Sequence, residues 1–165
     1  MILRPAGPAD TPAILEIWNA IIRDTTVTFT SIEKTPATFA ALVADRRARG
    51  REVFVAEDAE AGGVAGFASY DQFRPGDGYV HAMEHTILLG PSARGRGHGR
   101  ALLQRIEDHA RAGGAHTLFA GVSGENAAGI AFHARMGFAT AQRYPEAGRK
   151  FGRWLDLVLM EKRLG

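Results

Sequence analysis

The chain has no cysteine in its 165 residues. That excludes disulfides, thiolate metal ligands and a cysteine nucleophile. It has no apolar run near the ~20 residues that cross a bilayer. No charged-then-apolar leader opens it, so the expectation is a cytoplasmic protein with no membrane partner. It also lacks a strong charge bias. Twenty Lys and Arg face 18 Asp and Glu, a net charge of +2. The sequence pI of 9.3 therefore overstates its basicity, and no nucleic-acid partner is expected. No repeat, low-complexity segment or linker interrupts it. What remains is ordinary globular composition, 45% hydrophobic and 23% charged, which suits one domain over residues 1–165.

Against that background one stretch stands apart, Arg94-Gly95-Arg96-Gly97-His98-Gly99-Arg100. It follows the apolar run Thr86-Ile87-Leu88-Leu89 and precedes the amphipathic run Ala101 to Ile106. The order predicts a strand, a glycine-rich turn and a helix. Unpaired N–H groups and the helix dipole make such a helix start an anion site, best suited to phosphate. Arg94, Arg96 and Arg100 add positive charge. Two phosphate signatures fail. A nucleotide P-loop needs Lys then Ser or Thr after its last glycine, whereas Arg100 and Ala101 follow Gly99. A dinucleotide fingerprint needs glycine where Arg100 or Leu102 stands. Arg-x-x-Gly-x-Gly fits, read as Arg94, Gly97 and Gly99. A plain turn with solvated arginines is the blander alternative.

This motif resembles the Gln/Arg-x-x-Gly-x-Gly/Ala pyrophosphate site of the GNAT superfamily of N-acetyltransferases. Ile2 to Ala6 with Asp10 resembles the family's opening strand and first helix. Asn126 to His133, leading into Arg135-Met136-Gly137-Phe138, resembles its last coenzyme-contacting helix. Three further stretches resemble the phosphinothricin and methionine sulfoximine acetyltransferase branch: Val27-Thr28-Phe29, Met83-Glu84-His85-Thr86, and Arg149 to Leu157. The resemblance covers essentially the whole chain. It implies acetyl-CoA as cosubstrate, no metal, a small-molecule amine as acceptor, and a homodimer.

Hydrophobic spacing and turn signals predict the order βααβββαβαββ, with Glu60-Ala61-Gly62-Gly63 as one turn and Tyr79 to Leu89 as the fourth strand. That order predicts an α/β fold with one mixed sheet of about seven strands, flanked by about four helices. The resemblance adds an antiparallel front half, a parallel back half and a splay between two central strands.

Amine acetylation needs a neutral amine, a polarised thioester and an outlet for the thiolate. Glu84 is the candidate base, because a carboxylate in a mostly apolar strand is unusual unless paired or used. By alternation Glu84, Thr86 and Leu88 share one face, and His85, Ile87 and Leu89 the other. A salt-bridged structural role for Glu84 is the alternative. His85 is the runner-up base, but it is expected to be a half-buried strand histidine bonded to backbone. His81 and His85 stand ~13 Å apart on a strand, too far for one metal ion.

The resemblance assigns further roles. His133 stands where a tyrosine often protonates the thiolate, with plain packing as the alternative. Asn126 meets the pantetheine arm, besides capping its helix. Backbone of Ile87, Leu88 and Leu89 pairs with the pantetheine amides. Arg94, Gly95, Arg96, Gly97, His98, Gly99 and Arg100 hold the diphosphate. Phe29, Phe73 and Arg74 form the acceptor pocket, with Arg74 on the substrate carboxylate. Lys150 and Phe151 border it, from this or a partner subunit. Trp18, Phe67 and Trp154 are assigned to packing. The leading expectation is an N-acetyltransferase for a small amino acid. A peptide N-terminus or polyamine is the alternative acceptor, and a silent acetyl-CoA-binding module the alternative class.

Overall fold

The computed structural model describes residues 1–60 and 62–165. The chain runs β1 (Ile2–Pro5), α1 (Thr11–Asp24), α2 (Pro36–Ala48), β2 (Val53–Glu57), β3 (Val64–Gln72), β4 (Ala82–Leu89), α3 (His98–Ala112), β5 (Thr117–Ser123), α4 (Ala127–Arg135), β6 (Ala139–Lys150) and β7 (Arg153–Arg163). This is the expected element order. The turn expected at Glu60 to Gly63 includes Ala61, which lies outside the described residues. Tyr79 does not open a strand. It sits in a short 3-10 turn, Asp77–Tyr79, because the Gln72 amide donates to the carbonyls of Arg74 and Gly76, both at 2.7 Å, and folds that segment back.

All seven strands form one sheet, ordered β1-β2-β3-β4-β5-β7-β6. Only β4 and β5 are parallel, which corrects the expected parallel back half. The connections explain it. Helix α3 supplies the crossover that parallel strands need, whereas Phe151 and Gly152 alone join β6 to β7. A two-residue link can only make a hairpin, so β7 returns antiparallel between β5 and β6.

Each face of the sheet has its own core. Leu102, Leu103, Ile106 and Ala110 of α3 fall on one helical face and pack with Leu118, Ala120 and Met160. On the other side Ile14, Leu15 and Ile21 of α1 and Phe39 of α2 pack on Val53, Val55, Phe67 and Leu88. Full burial of such a side chain contributes about 1.5–3 kcal/mol. Leu88 joins the second cluster while Ile87 and Leu89 touch the first, so β4 alternates as expected. The one buried carboxylate of α3, Glu107, accepts from Lys162 Nζ at 2.7 and 2.9 Å, and the same ammonium donates to the Met136 carbonyl at 2.8 Å. Pairing of this kind offsets its desolvation.

The sheet opens at its centre. Strands β4 and β5 pair only through Ala82 with Thr117, Met83 with Leu118 and Glu84 with Phe119. On their outer edges pairing continues, to Leu89 opposite Gly66 and to Ser123 opposite Leu157. Beyond Glu84 the inner edge of β4 therefore has unpaired backbone groups, which demand another partner.

Candidate active site

The splay is the middle of a continuous groove. At the outer end a cavity of about 650 Å³ is lined by Gly95, Gly97, Gly99 and Arg100 with Arg135 and Lys162. It shares Leu89 and Phe132 with a middle cavity of about 330 Å³, which adds Arg94, Ile87, Asn126 and His133. Ile87, Leu88, Asn126 and His133 then line the inner cavity too, about 280 Å³, where Phe29 and Glu84 stand.

The outer end is an anion cradle. Gly97 is the N-cap of α3, with φ of 85°, and no side chain caps the helix. The first helical bond runs from Ala101 N to Gly97 O, so the preceding N–H groups have no helical acceptor. Together with Arg94 and Arg100 they fit a diphosphate. Asn126 Oδ1 accepts from Gly129 N at 2.9 Å, capping α4, and its side chain faces the middle cavity.

Glu84 stands at the inner end and is half-buried. Among the described residues no ion pair or hydrogen bond engages its carboxylate, so the salt-bridged alternative finds no partner. Burial pushes its pKa above the ordinary carboxylate range. Its space is kept by Gly121, where an added Cβ would lie 2.9 Å from Oε1.

Two buried imidazoles lie beside it. His133 Nδ1 is 2.7 Å from the Gly129 carbonyl and its Nε2 is 3.2 Å from His85 Nε2. A carbonyl only accepts, so His133 carries its proton on Nδ1. His85 must then donate from Nε2, which leaves its Nδ1 as a bare acceptor, and that atom is buried without a partner. His85 is therefore bonded to a second imidazole, not to backbone as expected. Burial holds both rings neutral, taking His85 down to about 3 and lowering His133 as well.

Several expected site residues lie off this groove. Arg96 turns away to the carboxylates of Asp58 and Glu60. His98 is buried, with Nδ1 3.3 Å from the Ala93 carbonyl. Lys150 is buried and turned to backbone: its Nζ donates to the carbonyls of Thr25 at 2.6 Å and Thr28 at 2.8 Å. It ties down the loop that presents Phe29. Phe73 stacks on Phe119, centroids 4.1 Å apart, and the Arg74 guanidinium lies 5.4 Å from the Phe73 ring centre. Because Phe119 is the β5 partner of Glu84, this stack stands beside the groove without lining it. Arg135 and Gly121 are at the site and were not anticipated. Arg135 looked like a helix end, and nothing in the sequence marks which strand glycine faces Glu84.

A sheet splayed beside an uncapped helix start, with a free carboxylate at the fork, defines an acyl transferase that works on a phosphate-bearing carrier. The family model for the acetyltransferase (GNAT) family matches residues 15–138, and the chain belongs to that family, whose enzymes use acetyl-CoA. Among similar proteins is the L-methionine sulfoximine/L-methionine sulfone acetyltransferase of Pseudomonas aeruginosa, 42% identical over 98% of this chain and 94% of that one. Among solved structures, a GNAT superfamily phosphinothricin acetyltransferase from Sinorhizobium meliloti in complex with acetyl-CoA is 33% identical, with a TM-score of 0.93 over 99% of this chain and 88% of that one. A ribosomal-protein-alanine N-acetyltransferase from Brucella melitensis is 37% identical, with a TM-score of 0.94 over 99% of both chains. No group of His, Cys, Asp or Glu among the described residues is placed to hold a metal ion. No helix among them is long and apolar enough to cross a membrane.

Proposed function

We propose that this acetyltransferase moves an acetyl group from acetyl-CoA to the α-amino group of a small amino acid or analogue, such as methionine sulfone, methionine sulfoximine or phosphinothricin. The observation that carries the reading is Glu84, an unpaired carboxylate where the groove meets the acceptor side. The activities for which the Pseudomonas and Sinorhizobium relatives are named support the substrate class.

In this reading Arg94, Arg100 and the backbone from Gly95 to Gly99 hold the diphosphate. The open edge of β4 at Ile87, Leu88 and Leu89 pairs with pantetheine amides, and Asn126 meets the same arm. Glu84 takes a proton from the substrate ammonium, directly or through water. The neutral nitrogen then attacks the thioester carbon, the C–S bond breaks, and the extra proton left on nitrogen passes, directly or through water, to the thiolate departing beside His133. Neutral His133 has no proton on Nε2. It protonates sulfur only after gaining one there, which burial opposes. The rate therefore depends more on Glu84. Phe29 gives the acceptor an apolar wall inside the groove; Phe73 and Arg74 stand beside the groove, where they meet the part of the acceptor that projects past Glu84, with Arg74 on its carboxylate.

Free-thiol release from acetyl-CoA across a panel of amino acids, peptides and polyamines tests the substrate class. Turnover of peptides or polyamines without turnover of any small amino acid would overturn it. Absence of all turnover, with acetyl-CoA bound, would leave a binding module.

Arg74→Ala is expected to raise KM for these amino acids by about 10–150-fold, since a charge-assisted hydrogen bond contributes about 1.5–3 kcal/mol. A decarboxylated analogue has no group to lose and should be little affected. Equal losses for the acid and its analogue would remove Arg74 from the carboxylate.

The reading includes a homodimer. The β6 edge strand is exposed along most of its length, and Tyr144, Phe151 and Trp154 present apolar surface there. Light scattering should give twice the chain mass of 17.8 kDa. A strict monomer at assay concentration would refute it.

A further inference from the structure

Phe29 lines the inner cavity from a loop that has no regular structure of its own. The loop leaves α1 at Thr25 and reaches α2 at Pro36. What fixes the ring comes from the other end of the chain, the hairpin of β6 and β7.

Gly148 of β6 is the seat. It pairs with Leu155 of β7. A Cβ on it would fall on Cδ2 of the Phe29 ring, 2.7 Å from Cε2 and 2.9 Å from Cγ. The ring therefore rests on bare backbone. Gly148 is not among the residues of positive φ, whereas Gly152 in the hairpin turn has φ of 74°. Glycine stands at position 148 for space, not for backbone freedom.

Lys150 is the anchor. It lies two residues further along β6, on the same face as Gly148, and is 3% exposed. Among the described residues no carboxylate pairs with its ammonium. A buried cation is costly unless it is hydrogen-bonded, and both bonds of this one go to the loop, at the Thr25 and Thr28 carbonyls. A third tie is indirect. Thr26 Oγ1 donates to Glu125 Oε2 at 3.0 Å, and Arg153 Nη2, at the start of β7, donates to the same oxygen at 2.9 Å.

We propose that Gly148 and Lys150 are positioning residues for the acceptor: the β6–β7 hairpin seats the Phe29 ring and so sets the acceptor wall of the inner cavity. The inference rests on the amino-acid acetyltransferase reading above. Gly148 acts by having no side chain under the ring, Lys150 by holding the backbone on which the ring is carried. A hairpin that only completed the sheet would have no coupling to Phe29.

A double-mutant cycle on Gly148 and Phe29 tests this. Gly148→Ala is expected to lower kcat/KM for the amino-acid acceptor by about 10–100-fold, the range for a displacement near 1 Å. Its Kd for acetyl-CoA should stay at the wild-type value, because the anion cradle is at the outer end of the groove. In a Phe29→Ala background the added Cβ has no ring to meet, so Gly148→Ala should cost nothing further, within about twofold. Lys150→Met should show the same pattern, a loss with Phe29 present and little without it. If that variant does not fold, the Gly148 cycle decides alone. A folded Gly148→Ala enzyme with wild-type kcat/KM overturns the inference. So do losses that multiply in the double variant, and so does an acetyl-CoA affinity that falls as far as acceptor turnover, which would mark a general distortion. Turnover of peptides or polyamines alone would instead sink the amino-acid reading, and the same cycle run on that acceptor still decides the seat.

Discussion

Glu84→Gln is expected to cut kcat by about 10²–10⁴-fold while acetyl-CoA binds as in the wild type. The amide keeps the shape of the side chain and the contact with Gly121 but cannot accept the ammonium proton. The separation from binding follows from position, since Glu84 lies at the inner end of the groove and the anion cradle at the outer end. Burial raises the pKa of Glu84, so the acidic limb of the kcat profile should fall above the usual carboxylate range and vanish in the variant. Stability should move the other way. A carboxyl whose folded pKa is raised contributes stability below its unfolded pKa, and that contribution is lost as pH rises through the folded value. At neutral pH the charged form is the costly one, so Glu84→Gln should melt no lower than wild type. A structural carboxylate would give the opposite pair of results, near-normal kcat with a lower Tm. Steady-state kinetics and a thermal melt on one preparation separate the two.

The element order was legible because the signals were local. Pro36 opens α2, Asn126 caps α4, and leucine spacing fixes the buried face of α3. Sheet order was less legible. Nothing local to β7 tells that it inserts between β5 and β6; that comes from the two-residue link and the space beside β5. The candidate site divides along the same line. Glu84, Asn126 and the glycine loop stand out in sequence because each breaks a local pattern. Arg135 does not, because it reads as one more basic residue in the last turn of α4, beside His133. Only the fold places it at the outer end of the groove, beside the glycine loop. Arg96 shows the converse. It sits inside the loop motif, yet the β2–β3 turn supplies Asp58 and takes it away from the groove. His85 and His133 are 48 positions apart, and no spacing rule could have shown that they share a hydrogen bond.

Gly97→Glu is expected to abolish the rise in melting temperature that acetyl-CoA gives the wild type, and with it all measurable transfer at ordinary coenzyme concentrations. Three effects act together. The backbone at Gly97 has φ of 85°, a left-handed conformation that costs a residue with a Cβ about 1–2 kcal/mol. No atom lies within 4 Å of where that Cβ would be, so the new side chain fits without a clash and the protein should still fold. The carboxylate it carries then stands at the uncapped start of α3, where it satisfies the same N–H groups and dipole that the diphosphate needs and repels the phosphates. Gly97→Ala carries the backbone strain without the charge, so it should weaken coenzyme binding less. Binding also links the coenzyme to stability, because a ligand at a hundred times its Kd adds about 2.7 kcal/mol to the folded state. The wild-type shift should therefore be large and its loss plain. A folded Gly97→Glu protein that kept the full acetyl-CoA shift would show that the diphosphate binds elsewhere, and the groove from Gly97 to Glu84 would have to be read in another direction.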